Sequence, residues 1–495
     1  MDMASVAEWL AIAFVWAIGL GVLIAAVLFV IDVSQTADAV RRNFPVIGRF
    51  RHLFSELGEF FRQYFFAMDR EEMPFNRAQR DWVYRSASGM DNVRPFGSTK
   101  SLQPVGTPIF VNSPWPALDE EAVEASPLII GPGAARPYEA KSFFNMSSMS
   151  YGSLSRPAIR ALSLGTAKAG CWMSTGEGAL APAHLEGGGD IVFQIGTAKY
   201  GVRDDDGNLD DEKLRKIAAH PEVKMIELKL AQGAKPGKGG ILPGHKVTEE
   251  IAAIRHIPVG KDSISPNRHC DIGNDQELLD MIDRLRRVSG LPVGIKTVMG
   301  DDGWLDGFFA AVVERGIESA PDFITIDGGD GGTGAAPMPL MDNVGMVVHE
   351  ALPIAAGLRA KHGLTERVRL IVSGKMITPS DVAWALATGA DFINAARGFM
   401  FSIGCIQAMK CHTNRCPTGI TTHNKRLQRG LVPEDKADKV ANYVAQMRKE
   451  VNIIAHSCGV SCPRQLKPHH VRLVCPDGRS RRMDQLHPDP VLQNG

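Results

Sequence analysis

Between Trp9 and Ile31 the chain runs for 23 residues without a charged side chain. An α-helix rises about 1.5 Å per residue and the apolar core of a bilayer is about 30 Å thick, so about 20 such residues cross it. The run therefore reads as a membrane-spanning helix, with a buried core helix as the competing reading. A secretory signal has a shorter apolar stretch, about 7–15 residues, behind a basic leader. Here the only charges ahead of the run are Asp2 and Glu8, whereas Arg41, Arg42, Arg49 and Arg51 come after it. Arginine is retained on the cytoplasmic side. The expectation is a single-pass protein of the inner (cytoplasmic) membrane with its catalytic domain in the cytoplasm.

The chain beyond the span is long enough for one large catalytic domain with appendages, since a (β/α)8 barrel takes about 250 residues. Lysine plus arginine equals aspartate plus glutamate at 55 each, so no net charge draws nucleic acid. In residues 53–66, Phe54, Leu57, Phe60 and Phe61 recur at helical spacing. They suit either an interfacial helix beside the membrane or a helix packed on the catalytic domain. Residues 67–140 are rich in Pro, Asp and Arg and read as an irregular connector, and the polar segment from Pro476 reads as partly disordered. The expected division is an anchor over 1–35, a juxtamembrane helix and connector over 36–130, a barrel over 131–430, and a C-terminal helix and polar tail over 431–495.

Between about 141 and 400, short apolar runs alternate with helical patterns. SFFNMSSM (142–149) precedes a helix from Arg156 to Ala169, and VKMIELKLA (223–231) precedes one over Thr248–His256. LPVGIKTV (291–298), FITIDG (323–328), VRLIVSG (368–374) and DFINAA (391–396) continue the series. Such alternation predicts parallel β/α units, and their number favours a closed α/β barrel of the TIM type. Chemistry then belongs at the carboxyl ends of the strands.

Those ends carry unusual residues. The first holds Met149-Ser150-Tyr151-Gly152-Ser153-Leu154-Ser155, a small turn whose amides suit a flat ligand, with Ser155 also a natural N-cap. Glu177 sits between glycines in Ser174–Gly178, with no base beside it in sequence. The stretch from Lys229 to Lys246 holds four lysines and five glycines, a cationic loop suited to a carboxylate-bearing substrate, and Arg255 lies one short helix later. Lys296 lies inside an apolar strand, where it either meets a polar partner or buried anion or snorkels outward. Glycines 328–334, Gly374 and the Arg397-Gly398 pair close three successive late strands, the usual phosphate cradle of a barrel. No dinucleotide fingerprint comes after a first strand, so NAD(P)H binding is not indicated.

Cys405, Cys411 and Cys416, the last followed by Pro417, lie within twelve residues. Short spacers let one loop wrap an iron–sulfur cluster, and three ligands favour 3Fe-4S over 4Fe-4S. A zinc site completed by His412 or a distant cysteine is the rival on spacing alone. Cys458, Cys462 and Cys475 read as packing residues, as do Cys171 and Cys270.

Together, SMSYGSLS, STGEGAL, KLAQGAKPGKGGILPGHKV, SISPNRHCDI, GGDGGTGAAP and the three-cysteine run resemble the FMN-binding synthase domain of glutamate synthase over roughly residues 130–430. The resemblance implies FMN over the Met149–Gly152 turn (Met149, Ser150, Tyr151, Gly152), with Gln232 and Lys296 facing its ring. Gly331, Gly332, Gly374 and Arg397 would surround its phosphate. It implies a 3Fe-4S cluster on Cys405, Cys411 and Cys416 that relays electrons. Lys235 and Arg255 would hold the carboxylates of 2-oxoglutarate, and Glu177 would handle protons or ammonium. The implied activity is reductive amination of 2-oxoglutarate to glutamate by reduced FMN, an oxidoreductase acting on CH–NH2 donors.

The sequence departs from that pattern in places. Lys238 stands where the family often has an acid, and Ile241 where it has a substrate-contacting glutamine. No cysteine precedes Cys171, so the nucleophile of a glutaminase domain is not seen, and ammonia is expected from a separate glutaminase subunit, from solution or from an amine substrate. The electron donor is expected to be a ferredoxin-like protein or a membrane carrier. Two alternatives stay open: a flavoenzyme for another keto acid or amine, such as an N-alkylglutamate synthase, and a non-aminating electron-transfer subunit.

Overall fold

The computed structural model describes residues 2–488, which fall into two units, Met1–Ala78 and Gln79–Gly495. In the first, α1 (Met3–Ser34) is followed by α2 (Ala39–Asn43) and α3 (Gly48–Phe61). The most apolar stretch of α1 has a mean hydropathy of 2.8 and none of it is buried. A core helix hides its apolar side chains, so this exposure is consistent with the membrane-spanning reading. α1 is long and apolar enough to cross a membrane.

In the second unit eight parallel strands close into a barrel. They are β1 (Phe144–Met146), β2 (Met173–Ser174), β3 (Ile191–Ile195), β4 (Val223–Lys229), β5 (Val293–Thr297), β6 (Phe323–Asp327), β7 (Arg369–Ser373) and β8 (Phe392–Ala395). Each strand pairs with the next in sequence, and the Ile393–Phe144 register between β8 and β1 closes the ring. The expected TIM-type α/β barrel is present. Side chains alternate inward and outward along each strand, which explains the filling of the interior. At the amino end, Val192, Met225, Phe323, Ile371 and Phe392 point into one apolar cluster with Trp172. A hairpin, Leu128–Ile130 against Tyr138–Ala140, adds Ile130, Tyr138 and Ala140 to that cluster and plugs this end. One layer up, buried Glu227 accepts hydrogen bonds from Gln194 (2.5 Å), Thr325 (2.7 Å) and Ser148 (3.2 Å). With the amino end sealed by apolar side chains, polar chemistry has only the carboxyl end.

The outer layer holds two long partners. α4 (Arg156–Ala169) begins at Ser155, whose hydroxyl accepts from Ala158 N–H at 3.3 Å, and ends at Gly170 in the left-handed conformation. α5 (Pro433–Ser457) lies along α4 so closely that a Cβ placed on Gly165 would stand 2.5 Å from Val440 Cβ.

Several expectations need correction. β2 is only two residues long and β3 has no alternation, so neither stands out locally. The helix after β4 was expected at Thr248–His256. A short helix does lie there (Glu249–Arg255), but it belongs to an inserted loop with its own Ile241–Leu242/Ser263–Ile264 pairing. Asp275–Ser289 makes the return crossover. The stretch 67–140 is not simply irregular: it holds a helix (Arg77–Ala87), the plugging hairpin and Pro108–Phe110, which pairs with Val471–Val474. The tail is ordered past Pro476, where Ser480–Arg482 extends the same small sheet. Pairing between segments far apart in sequence leaves no local periodicity. The partly disordered reading thus fails for Ser480–Arg482, and the last part of that segment, residues 489–495, lies outside the described residues.

Candidate active site

Above the Glu227 layer, inward positions of the strands become charged. Lys229 ends β4 two residues after Glu227 and so faces the same interior. Its Nζ donates to Glu177 Oε2 at 2.8 Å and to Gln232 Oε1 at 2.6 Å. Gln232 in turn donates to Thr333 Oγ1 at 3.3 Å. Glycines make this crowding feasible: a Cβ on Gly240 would lie 2.4 Å, and one on Gly196 2.8 Å, from a Glu177 carboxylate oxygen. Glycine at both positions lets two loops close over the carboxylate. Glu177, with no base beside it in sequence, thus gains one across space.

Lys235 and Arg255 are both buried. Arg255 donates to the Tyr151 carbonyl at 2.8 Å and to Ser263 Oγ at 3.5 Å, and its guanidinium lies 5.1 Å from the centre of the Tyr200 ring. Its Nε has no hydrogen-bond partner among the described residues. Burial pushes the Glu177 carboxyl up, but the charges of Lys229, Lys235 and Arg255 outweigh it and hold it down at about 2. Burial lowers the pKa of Lys235 and of Arg255. The charges of Lys229, Lys235 and Arg255 thus all act on the one Glu177 carboxylate.

Lys296 is buried and stands 3.4 Å from Asp327 Oδ2, so it does not snorkel outward. Asp327 also accepts from Gly233 N–H at 2.8 Å and from the Ser373 hydroxyl. It thereby joins the loops after β4, β6 and β7. The late glycines converge as their spacing suggests. A Cβ on Gly332 would lie 2.8 Å from Arg397 Nε, and one on Gly374 would lie 3.0 Å from Gly328 N. Gly331 N–H donates to Gly328 O at 2.8 Å, and Arg397 donates to the Thr333 carbonyl. The Met149–Gly152 turn is gripped from the other side, where a Cβ on Gly176 would meet Ser150 N at 2.6 Å.

The cysteine loop approaches that same turn. Buried Lys246 donates to the carbonyls of Ser153 (3.2 Å), Cys411 (3.3 Å) and Thr421 (3.2 Å). His423 Nε2 lies 2.8 Å from the Gly152 carbonyl. Cys416 is buried, and Cys405 and Cys411 are half-buried. Burial raises the Cys416 thiol, but hydrogen bonds from Thr418 and Thr421 outweigh it and leave its pKa below that of a free thiol. Among the described residues no three His, Cys, Asp or Glu side chains converge as they would on one metal ion. The structure therefore supports neither the zinc site nor the cluster over the other at Cys405, Cys411 and Cys416. Cys458, Cys462 and Cys475 are buried, whereas Cys270 is exposed and does not serve as a packing residue.

Glu227, Asp327 and His423 were not singled out from sequence, and Lys229 and Lys246 only as two of the four lysines of the cationic stretch. The signal for Glu227 and Lys229 was present: an acid and a base at alternate positions of an apolar strand point into the same interior.

A closed barrel sealed at its amino end, with its charges gathered at the other, defines a (β/α)8-barrel protein whose chemistry lies at the carboxyl ends of the strands. Sequence comparison narrows the class. The family model described as the conserved region in glutamate synthase matches residues 115–461, and the chain belongs to the glutamate synthase family. It is 38% identical to the glutamate synthase large subunit-like protein YerD of Bacillus subtilis, over 95% of this chain and 96% of that protein. It is 34% identical to the archaeal glutamate synthase [NADPH] of Methanocaldococcus jannaschii over 66% of this chain, a match that spans 61% of that relative's length. A solved oxidised active mutant of (S)-mandelate dehydrogenase overlays with a TM-score of 0.47 at 13% identity, covering 74% of this chain and 87% of that one. A likeness that distant says nothing about the substrate of this chain.

Proposed function

We propose that the barrel is an FMN-dependent oxidoreductase that reductively aminates a dicarboxylate keto acid, with 2-oxoglutarate the leading substrate. The observation that carries this reading is the pair of buried cations, Lys235 and Arg255, gathered with Lys229 about Glu177. A dicarboxylate offers each of that pair a carboxylate, which a neutral ligand does not. Arg255, whose Nε has no partner among the described residues, and Lys235 bind the two carboxylates. Lys229 positions Glu177, which stays ionised at neutral pH and so attracts ammonium rather than donating a proton. Charge-assisted contacts of this kind hold the substrate and orient its keto carbon.

The converging loops of Gly331, Gly332 and Gly374, with Arg397 packed on them, are the proposed holder of the FMN phosphate, since glycine lets the backbone come close to an anion. Met149, Ser150, Tyr151, Gly152, Gln232 and Lys296 are the proposed contacts of the flavin ring. When bound, FMN supplies the hydride that reduces the imine of keto acid and ammonia. A 3Fe-4S cluster on Cys405, Cys411 and Cys416, when bound, supplies the electrons. Lys246 and His423 fix the cysteine loop against the Met149–Gly152 turn, so the two groups would be neighbours. A ferredoxin-like protein or a membrane carrier donates those electrons, and ammonia comes from a partner glutaminase or from solution. α1 anchors the protein in the inner membrane with the barrel, residues 131–430, in the cytoplasm. Residues 1–35 serve as the anchor, 36–130 as the connection and 431–495 as the C-terminal appendage.

A second reading is favoured by Ile241, which is 45% exposed on the cationic loop beside exposed Lys238. An apolar side chain there suits an N-alkylated product or another keto acid. The test is an absorption spectrum of anaerobically purified full-length protein before and after dithionite, followed by 2-oxoglutarate with ammonium or methylamine. Reoxidation by 2-oxoglutarate and ammonium is expected. Reoxidation only with the alkylamine selects the second reading, and none with either leaves an electron-transfer subunit.

A further inference from the structure

We propose that α3 is an interfacial helix that lays its aromatic face into the same bilayer leaflet in which α1 ends. The inference rests on α1 being a membrane anchor, and it concerns a different segment. In the last turn of α1, Asp32 is wholly buried. Its carboxylate accepts from Arg41 Nε (3.0 Å) and Nη2 (2.7 Å), from Arg49 Nε (2.8 Å) and Nη2 (2.7 Å), and from the Val46 backbone N–H (3.0 Å). A buried carboxylate is tolerated only when charge and hydrogen bonds compensate it. All of that compensation comes from the chain leading into α3 and from its second residue. Val46 has φ 65°, a left-handed conformation that is costly for a β-branched residue. A Cβ on Gly48 would lie 3.0 Å from both Arg41 Cα and Val40 O, so α3 starts tight against α2. The start of α3 is therefore clasped at the depth where the spanning helix leaves the apolar core.

From that point α3 runs for 14 residues and passes directly into a π-helical turn, Arg62–Phe66. With Arg51, Glu56 and Arg62 along it the segment is not apolar enough to cross, and among the described residues only Met3–Ser34 is. Phe50, Leu53, Phe54, Leu57 and Phe61 recur at three- and four-residue intervals on one side of α3, Tyr64 follows in the π-helical turn, and all are exposed. Phe50 and Phe54 rings lie 6.3 Å apart and Phe60 and Tyr64 rings 4.8 Å apart, so the face is a continuous aromatic strip. Arg51 and Ser55 fall away from that side, and Arg62 opens the π-helical turn that follows. A short helix with an aromatic face and an arginine-bearing face, tied to the end of a membrane span, fits the boundary between acyl chains and anionic headgroups.

The test uses full-length protein in vesicles of phosphatidylcholine and phosphatidylglycerol, carrying Phe54→Cys, Phe61→Cys, Ser55→Cys or Leu20→Cys singly. Labelling by a membrane-impermeant maleimide is read peptide by peptide by mass spectrometry, which separates the native exposed Cys270. The thiols introduced by Phe54→Cys, Ser55→Cys and Phe61→Cys share one helix and one side of the membrane, so vesicle orientation cancels. Phe54→Cys and Phe61→Cys are expected to label at least about tenfold more slowly than Ser55→Cys, because their face sinks into the headgroup boundary. Equal rates for these three variants with Leu20→Cys protected overturn this inference and leave the anchor standing. Rapid labelling of Leu20→Cys removes the anchor reading and this inference with it. Slow labelling of all three α3 variants means that protein, not lipid, covers the helix, and also overturns it.

Discussion

Glu177 owes its ionisation to neighbours that a linear reading does not reveal. Its folded pKa, about 2, lies below the ordinary carboxylate value of 4.5, so its ionisation stabilises the fold above about pH 4.5. That contribution is lost as pH falls from about 4.5 to about 2. Glu177→Gln should be less stable than the parent at pH 7, since it leaves Lys229 without its charged partner, a loss of about 1–3 kcal/mol. It should also lose less further stability on acidification, a difference that circular dichroism during acid titration will read. Parallel acid curves would mean that the carboxylate is not held down by its neighbours. Arg255→Ala tests the substrate role: losing one charge-assisted carboxylate contact, about 1.5–3 kcal/mol, should raise the apparent KM for 2-oxoglutarate roughly ten- to a hundredfold. Flavin content should be unchanged. Ile241→Gln belongs in the same assay, because better use of 2-oxoglutarate by that variant would mean that the natural substrate differs. Glu177 and Lys235 stand out in the sequence as charges in glycine-rich loops and Arg255 in the short helix that follows. Lys229 counts there only as one lysine of the cationic stretch, because its pairing partner lies in another β/α unit.

Among elements, the helices that wrap the barrel and the loops that crown it answer to different constraints. α4 and α5 meet at Gly165, where a Cβ would stand 2.5 Å from Val440 Cβ. Alanine is the better helix former by about 1 kcal/mol, so propensity alone predicts that Gly165→Ala stabilises. The contact predicts the reverse: overpacking of this kind costs about 1–3 kcal/mol, and the chemical-denaturation midpoint should fall. In the crown, Cys411→Ser should remove the electron paramagnetic resonance signal of an oxidised 3Fe-4S cluster while part of the flavin stays bound. Stoichiometric zinc without iron in anaerobically prepared protein would contradict the cluster. The barrel was legible because β4 to β8 are apolar runs followed by helical patterns. β2, a two-residue strand, and the hairpin that seals the amino end were not, because their pairing partners lie elsewhere in the chain. The crossover at Asp275–Ser289 was hidden by the inserted loop, whose own short helix fell where a crossover was expected.

At the scale of the whole molecule, equal numbers of acidic and basic residues leave no global field, so location has to come from a particular segment. α1 is that segment: 32 residues with a mean hydropathy of 2.8 over its most apolar stretch and none of that stretch buried. Exposing so much apolar surface to water is unfavourable by roughly 25 cal/mol per Å², which a bilayer removes. The arginines after the span set the expected orientation. Arg41 and Arg49 are engaged by Asp32 in the structure. The rule nonetheless counts basic residues rather than net charge, so the engagement does not reverse it. The full-length protein should therefore remain with membranes through an alkaline carbonate wash and be released only by detergent. A tag at the C-terminus should survive protease added to intact cells and be cut once the membrane is opened. Recovery in the soluble fraction without detergent would remove the anchor. Cleavage of the tag in intact cells would keep the anchor and turn the barrel to the outer side, where no ferredoxin-like donor could reach the cysteine loop.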